Sequence, residues 1–146
     1  MSRRDDLPHA VAPRVRDACL CLHVQRAARA LARHFDDAFR PHGLTHGQFS
    51  LLMSLNAPAP PPMRRVAALL AMDRTTLTAN LKPLERRGLV SVAVDEGDRR
   101  GRVLTLTASG RQLLAAALPT WKRTHAAIES LLAAPDRLRV DLRALS

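Results

Sequence analysis

Aromatic residues are scarce in this 146-residue chain: no tyrosine, one tryptophan and three phenylalanines, 3% of the total. Apolar residues still make up 47%, which excludes a globally disordered chain. With so few large rings, the core has to be built from Leu, Ala and Val, a composition that suits closely packed helices. Cysteine is limited to Cys19 and Cys21, too few for a disulfide framework. No stretch reaches the ~18 consecutive apolar residues that span a bilayer. The opening MSRRDDLPHAVAPRV holds no apolar run of the secretory kind. A cytoplasmic protein with no membrane partner is therefore expected.

Catalytic signatures are also missing. The sequence has no nucleophile elbow, no phosphate-binding glycine loop and no paired carboxylates in a recognisable setting, so an enzyme is not expected. Its six histidines show no metal-ligand spacing, and no metal or other cofactor is expected. Acidic residues are few, 13 against 23 basic ones, for a net charge of +10. An excess of that size at this length points to a polyanionic partner.

Periodicity sets out the elements. Residues 1–13 are charged and proline-bearing and read as a loose arm. From Val15 to Phe39, apolar residues recur at helical spacing through Leu20, Val24, Ala28, Leu31 and Phe35; Pro41 and Gly43 end that helix. Thr45 and Gln48 form a capping-box pair for a second helix. The APAPPP stretch, Ala57–Pro62, is a stiff connector. A short helix is expected over Met63–Met72, and Asp73 caps a fourth with Leu77, Leu81 and Leu84 on one stripe. Gly88 closes it, and Pro83 inside it predicts a bend. The period then shortens to two. Leu89–Val94 and Arg102–Thr107 alternate around the polar turn DEGDRRG, the pattern of a β-hairpin. Thr107 caps a helix from Ala108 that Pro119 is expected to kink, and a last helix is expected over Pro135–Leu145.

The expected fold is thus mainly α with a small β-hairpin: a winged helix-turn-helix domain plus terminal dimerisation helices. A single domain spans 1–146, with the winged helix-turn-helix at about 63–107 and the dimerisation helices at about 14–40 and 108–146. In such a unit the second helix enters the major groove. Around its solvent side stand Arg74, Thr75, Thr76, Thr78, Asn80 and Lys82, types able to bond bases or phosphates. Thr75, Thr78 and Lys82 are expected nearest the bases, and the helix N-terminus favours a phosphate. Arg99, Arg100 and Arg102 at the hairpin tip suit a minor groove, Arg100 foremost, with Asp98 expected to hold Arg86 or Arg100 by a charge-assisted hydrogen bond. Residues 63–111 hold ten basic and five acidic side chains, hardly denser in charge than the whole chain, so the order of elements carries the reading and the charge map only supports it. Leucines at 20, 113, 114, 118, 131, 132, 138, 142 and 145 exceed what one small winged helix can cover, which predicts a two-fold partner surface.

The stretch ALLAMDRTTLTANLKPLERRGLVSVAVDEGDRRGRVLTLTASGRQLL resembles the DNA-binding segment of the MarR family of bacterial regulators. The resemblance rests on Asp73–Leu77, Leu81–Val90, Asp98–Arg100 and Leu106–Gly110. It implies a homodimer formed by the terminal helices, double-stranded DNA with a palindromic operator as partner, and repression relieved by a ligand or oxidant. A nonspecific architectural DNA-binding protein is the alternative within the same fold.

Cys21, in LCLHVQRAARAL with Arg29, resembles the oxidisable position of the organic-hydroperoxide-sensing branch of that family. The tyrosines of that branch are absent, and Phe35 and His46 stand in their places. A His can hydrogen-bond a thiolate and lower the thiol pKa; a Phe cannot. Cys21 therefore reads as a peroxide-sensing thiol, a small apolar core residue or a metal or metalloid ligand. In a continuous helix Cys19 lies about 200° round the axis from it, which argues against a disulfide between them. The resemblance also implies a pocket between the dimer helices and the winged unit. His23, Phe35, His46, Phe49, Trp121 and His125 are its expected lining, suited to a small aromatic acid. Plain packing is the equal reading for Trp121.

Overall fold

The computed structural model describes residues 7–146. Its elements are α1 (Val11–Ala18), α2 (Leu20–Phe39), a 3₁₀ turn (Arg40–His42), α3 (His46–Ser54), α4 (Met63–Leu69), α5 (Arg74–Arg86), β1 (Val90–Val94), β2 (Arg102–Leu106), α6 (Ala108–Glu129) and α7 (Pro135–Arg143). The chain divides into two compact units between His34 and Phe35. The fold class is the one the sequence implies: helical, with one two-stranded antiparallel sheet. No helix among the described residues is long and apolar enough to cross a membrane.

In the N-terminal unit the structure corrects two expectations. Helix α1 begins at Val11, so the expected arm is already helical before residue 13, and its first six residues lie outside the described ones. The long first helix is also interrupted. Cys19 is extended (φ −70°, ψ 107°) and separates α1 from α2. Its sulfur accepts the Leu22 N–H at 3.5 Å, the role an N-cap side-chain oxygen plays elsewhere. Cys19 and Cys21 therefore do not stand on one continuous helix.

The C-terminal unit is organised by its caps. Thr45 forms the full capping box with Gln48 at the start of α3. Asp73 and Thr107 cap α5 and α6 through the N–H groups of Thr76 and Gly110. Helix α4 stops at Leu69, short of the expected Met72, in a Schellman arrangement: Ala71 N–H bonds the Ala68 carbonyl and Met72 N–H the Ala67 carbonyl. The residue that must turn left-handed there is Ala71, at φ 52°. Helix α5 ends the same way with Gly88 at φ 71°, where glycine carries no Cβ penalty. Pro83 and Pro119 lie inside continuous helices. Each lacks the N–H that would bond the carbonyl four residues back, Ala79 and Ala115 respectively.

Strands β1 and β2 pair from Val90↔Leu106 to Val94↔Arg102. The proline connector does more than space the helices: Pro62 bridges Val103, and the Leu104 N–H bonds the Pro61 carbonyl at 3.0 Å. Proline serves at a sheet edge because the missing N–H would face outwards. Phe39, Leu51, Leu52, Leu77, Leu84 and Leu104 fill the centre of the core, almost wholly buried. The two strands, α3, α4 and α5 thus share one apolar core, which fixes α5 beside the hairpin.

Candidate nucleic-acid interface

Helices α4 and α5 are joined by Leu70–Asp73, and α5 leads directly into the hairpin. This is the expected helix-turn-helix with its wing. Leu77, Leu81 and Leu84 bury one side of α5, leaving Arg74, Thr75, Thr76, Thr78, Asn80 and Lys82 exposed. The sequence-predicted residues are therefore all on the surface of one element, but they are not equally free.

Three are engaged within the fold. The Thr78 hydroxyl donates to the Arg74 carbonyl at 2.8 Å. The Asn80 amide nitrogen lies 3.6 Å from the Met72 sulfur. The Arg74 guanidinium reaches the Arg100 carbonyl at 3.4 Å, tying the first turn of α5 to the wing. By contrast, Thr75 and Lys82 make no side-chain hydrogen bond or ion pair among the described residues. Helical geometry adds two residues that the sequence reading left out of the set, Ala79 and Arg86. Both are exposed, and with Thr75 and Lys82 they follow the i, i+4, i+7, i+11 spacing of a single stripe. The signal was available in the leucine period: a residue midway between Leu77 and Leu81 must face away from both.

The start of α5 is already occupied. Asp73 accepts the Thr76 N–H at 2.7 Å, and that backbone hydrogen bond holds its carboxyl below the usual carboxylate range. A phosphate placed at this N-terminus would have to share it with a carboxylate, so the helix end is a weaker anion site than the dipole alone implies.

The wing is shaped by two aspartates. Asp95 accepts the Gly97 N–H at 3.0 Å, and Asp98 accepts the backbone N–H of Arg100 at 3.1 Å. Asp98 thus grips the backbone of Arg100, and the expected guanidinium pair with Arg86 or Arg100 is not formed among the described residues. The reason is local: an Asp side chain reaches the N–H two residues on without ordering a long arginine. Arg99 is exposed and unengaged among the described residues, while Arg102 is half-buried and donates to the Gly101 carbonyl at 3.0 Å. Between α4, the head of α5 and the wing lies a cleft of about 430 Å³, bordered by Met63, Arg74, Asp95, Asp98, Arg100 and Arg102.

Of the residues expected to line a ligand pocket, Phe35, His46, Phe49, Trp121 and His125 belong to the C-terminal unit. Phe49 is buried in the core, stacked on Phe39 at 4.5 Å, and Phe35 stacks on the other side at 5.8 Å. His46 is exposed and bonds Asp36 through both its ring and its backbone N–H, at 2.8 and 2.7 Å. Trp121 packs against the core and stacks on His125 at 4.6 Å. His23 belongs to the N-terminal unit, where its Nδ1 lies 2.8 Å from the Cys19 carbonyl oxygen. Cys21 is exposed in the single chain and accepts from the Gln25 amide at 3.2 Å. No group of three or more His, Cys, Asp or Glu able to hold a metal occurs among the described residues.

Comparison with known proteins is consistent with this architecture. Residues 42–101 match the MarR family model. The chain is 35% identical over 101 residues to the HTH-type transcriptional regulator TtmR of Methylorubrum extorquens, covering 69% of this chain and 52% of TtmR, about half the length of that relative. Among solved structures it is similar to the transcriptional regulator MosR of Mycobacterium tuberculosis in complex with DNA, at 38% identity and a TM-score of 0.80, covering 87% of this chain and 92% of MosR. It is also similar to the transcriptional repressor CouR bound to a 23-mer DNA duplex, at 30% identity and a TM-score of 0.74, covering 90% and 92% of the two chains. The chain belongs to the MarR family, with a winged helix-turn-helix fold.

Proposed function

We propose that this chain is a sequence-specific, DNA-binding transcriptional regulator of the cytoplasm, working as a homodimer on a palindromic operator and repressing until a small signal releases it. The observation that carries this reading is the unengaged stripe of Thr75, Lys82 and Arg86 on α5, set beside a wing that presents Arg99 and Arg100. The +10 charge and the DNA complexes of MosR and CouR support it. Pairing through the terminal helices is supported by apolar side chains left open there, Leu131 at 79% and Leu145 at 65% exposed. The domain division that accompanies this reading is a winged unit at about 63–107 flanked by dimerisation helices at about 14–40 and 108–146.

The signal is either a small aromatic ligand or an oxidant acting on Cys21. The exposure of Cys21 in the single chain supports the oxidant, since an accessible thiol is the one a peroxide can reach. The test is fluorescence anisotropy on the DNA upstream of the protein's own gene, with and without one equivalent of cumene hydroperoxide. Tight binding lost on oxidation and restored by a thiol supports the redox reading. Tight binding that ignores the oxidant turns the assignment to the aromatic ligand. Equal affinity for every duplex would make the protein an architectural one and overturn the proposal.

A further inference from the structure

The polar residues of α5 are natural candidates for reading bases, yet the centre of its outward face is an alanine. Ala79 follows Leu77 by two residues and precedes Leu81 by two. At ~100° per residue it stands roughly 160° round the helix axis from each. Both leucines are buried, at 0% and 3% exposure, so Ala79 faces directly away from the core and is exposed. Thr75 and Lys82, one turn before and after it, flank it on the same stripe. The larger neighbours on either side are drawn off: Thr78 bonds the Arg74 carbonyl, and Asn80 contacts Met72. What remains at Ala79 itself is a short methyl group that lets the helix approach a groove floor closely, with the longer Lys82 and Arg86 further along the same stripe.

We infer that Ala79 is a specificity-determining residue whose methyl group packs on the C5-methyl of a thymine in each operator half-site. The inference rests on the DNA-binding reading above. A helix enters the major groove only as far as its crest allows, and apolar contact from Ala is one of the ways a thymine methyl is recognised there. Lys82 and Thr75 then fall on either side, within reach of phosphate and of an adjacent base edge. A crest of this kind selects thymine through an apolar contact, leaving hydrogen bonding to its flanks.

The experiment first selects operators from a pool of randomised duplexes with the full-length protein. In the enriched duplex each thymine is then replaced, in both halves at once, by 2′-deoxyuridine, which removes only the C5-methyl. For the wild type, replacement at one position is expected to weaken binding about fourfold per half-site, the worth of burying one methyl group. Ala79→Gly should bind the thymine and deoxyuridine duplexes alike, whereas Thr75→Ser, which deletes the other methyl group on the crest, should keep the wild-type penalty. Melting curves check both folds, and Ala79→Ser, a milder change, should shrink the penalty if the glycine variant unfolds. A wild type indifferent to every replacement, an Ala79 variant that retains the penalty, or its loss in Thr75→Ser would each overturn the inference while leaving the operator reading intact. A pool that yields no enriched sequence would overturn both.

Discussion

Gly110 lies directly beneath Leu89. A Cβ on Gly110 would run into the Leu89 carbonyl oxygen and come within 2.7 Å of a Leu106 methyl. That carbonyl is meanwhile bonded by the Thr107 N–H at 3.1 Å, and the Thr107 hydroxyl donates to the Gly88 carbonyl at 2.6 Å. Gly88–Leu89 and Thr107–Gly110 therefore interlock at the point where α5, the wing and α6 meet.

Gly110→Ala is expected to destabilise the protein by on the order of 3 kcal/mol, the upper part of the overpacking range. Helix propensity alone predicts the opposite sign, a gain of about 1 kcal/mol for Ala over Gly inside α6. Urea unfolding decides between them; a stabilised variant would mean that α6 can shift away from Leu89 at little cost.

Ala71 carries the reverse argument. It holds the left-handed position of a Schellman cap that Gly88 holds one helix later. A left-handed Ala costs roughly 1–2 kcal/mol, partly offset because glycine loses more entropy on folding. Ala71→Gly should raise stability by about 0.5–1 kcal/mol and leave the turn between α4 and α5 in place. A lower unfolding midpoint would show that the strain is already relieved by contacts of the Ala71 side chain.

Much of this was readable in advance where a rule is local. The capping box at Thr45, the cap at Asp73, the closing Gly88 and the hairpin all follow from residues within four positions of one another. The interlock at Gly110 was not legible, because its two halves lie some twenty residues apart and only the folded chain brings them together. The break at Cys19 was hidden for a different reason: the apolar period of the first helix runs through it unchanged, and a sulfur cap resembles no familiar signal. At the site, the exposed residues of α5 followed from the leucine stripe. Which of them are spent on internal bonds, as Thr78 and Asn80 are, depends on Arg74 and Met72 in three dimensions.

Asp36 gives a pH dependence. It accepts the His46 backbone N–H and then the His46 ring, and these bonds hold its carboxyl below the ordinary carboxylate range. A depressed native value stabilises the fold above the unfolded pKa of about 3.9, and that contribution is lost as pH falls through the native value. The side chains are 50% and 41% exposed, so solvent screening limits the effect to below about 1 kcal/mol. Asp36→Asn should therefore melt somewhat lower than wild type at pH 7, with the difference shrinking as pH falls below the unfolded pKa and through the lowered native value. A constant difference across that range would remove the ionised Asp36 from the stability of the fold.

Thr78 and Lys82 separate engaged from free side chains on the same helix. The Thr78 hydroxyl has already spent its proton on the Arg74 carbonyl, so Thr78→Val should change operator affinity by less than about twofold, a surface change removing no free donor. Lys82 is unengaged and on the outward stripe. Lys82→Ala should weaken binding at physiological salt and lower the slope of log K against log salt by about one, the mark of a lost phosphate contact. Arg100→Ala should cost about tenfold in affinity while sedimentation still finds the dimer, because its guanidinium is part of the wing and not of the core. If Thr78→Val is as damaging as Lys82→Ala, then the Thr78 hydroxyl rotates away from Arg74 on binding, and the division between engaged and free residues holds only for the protein without DNA.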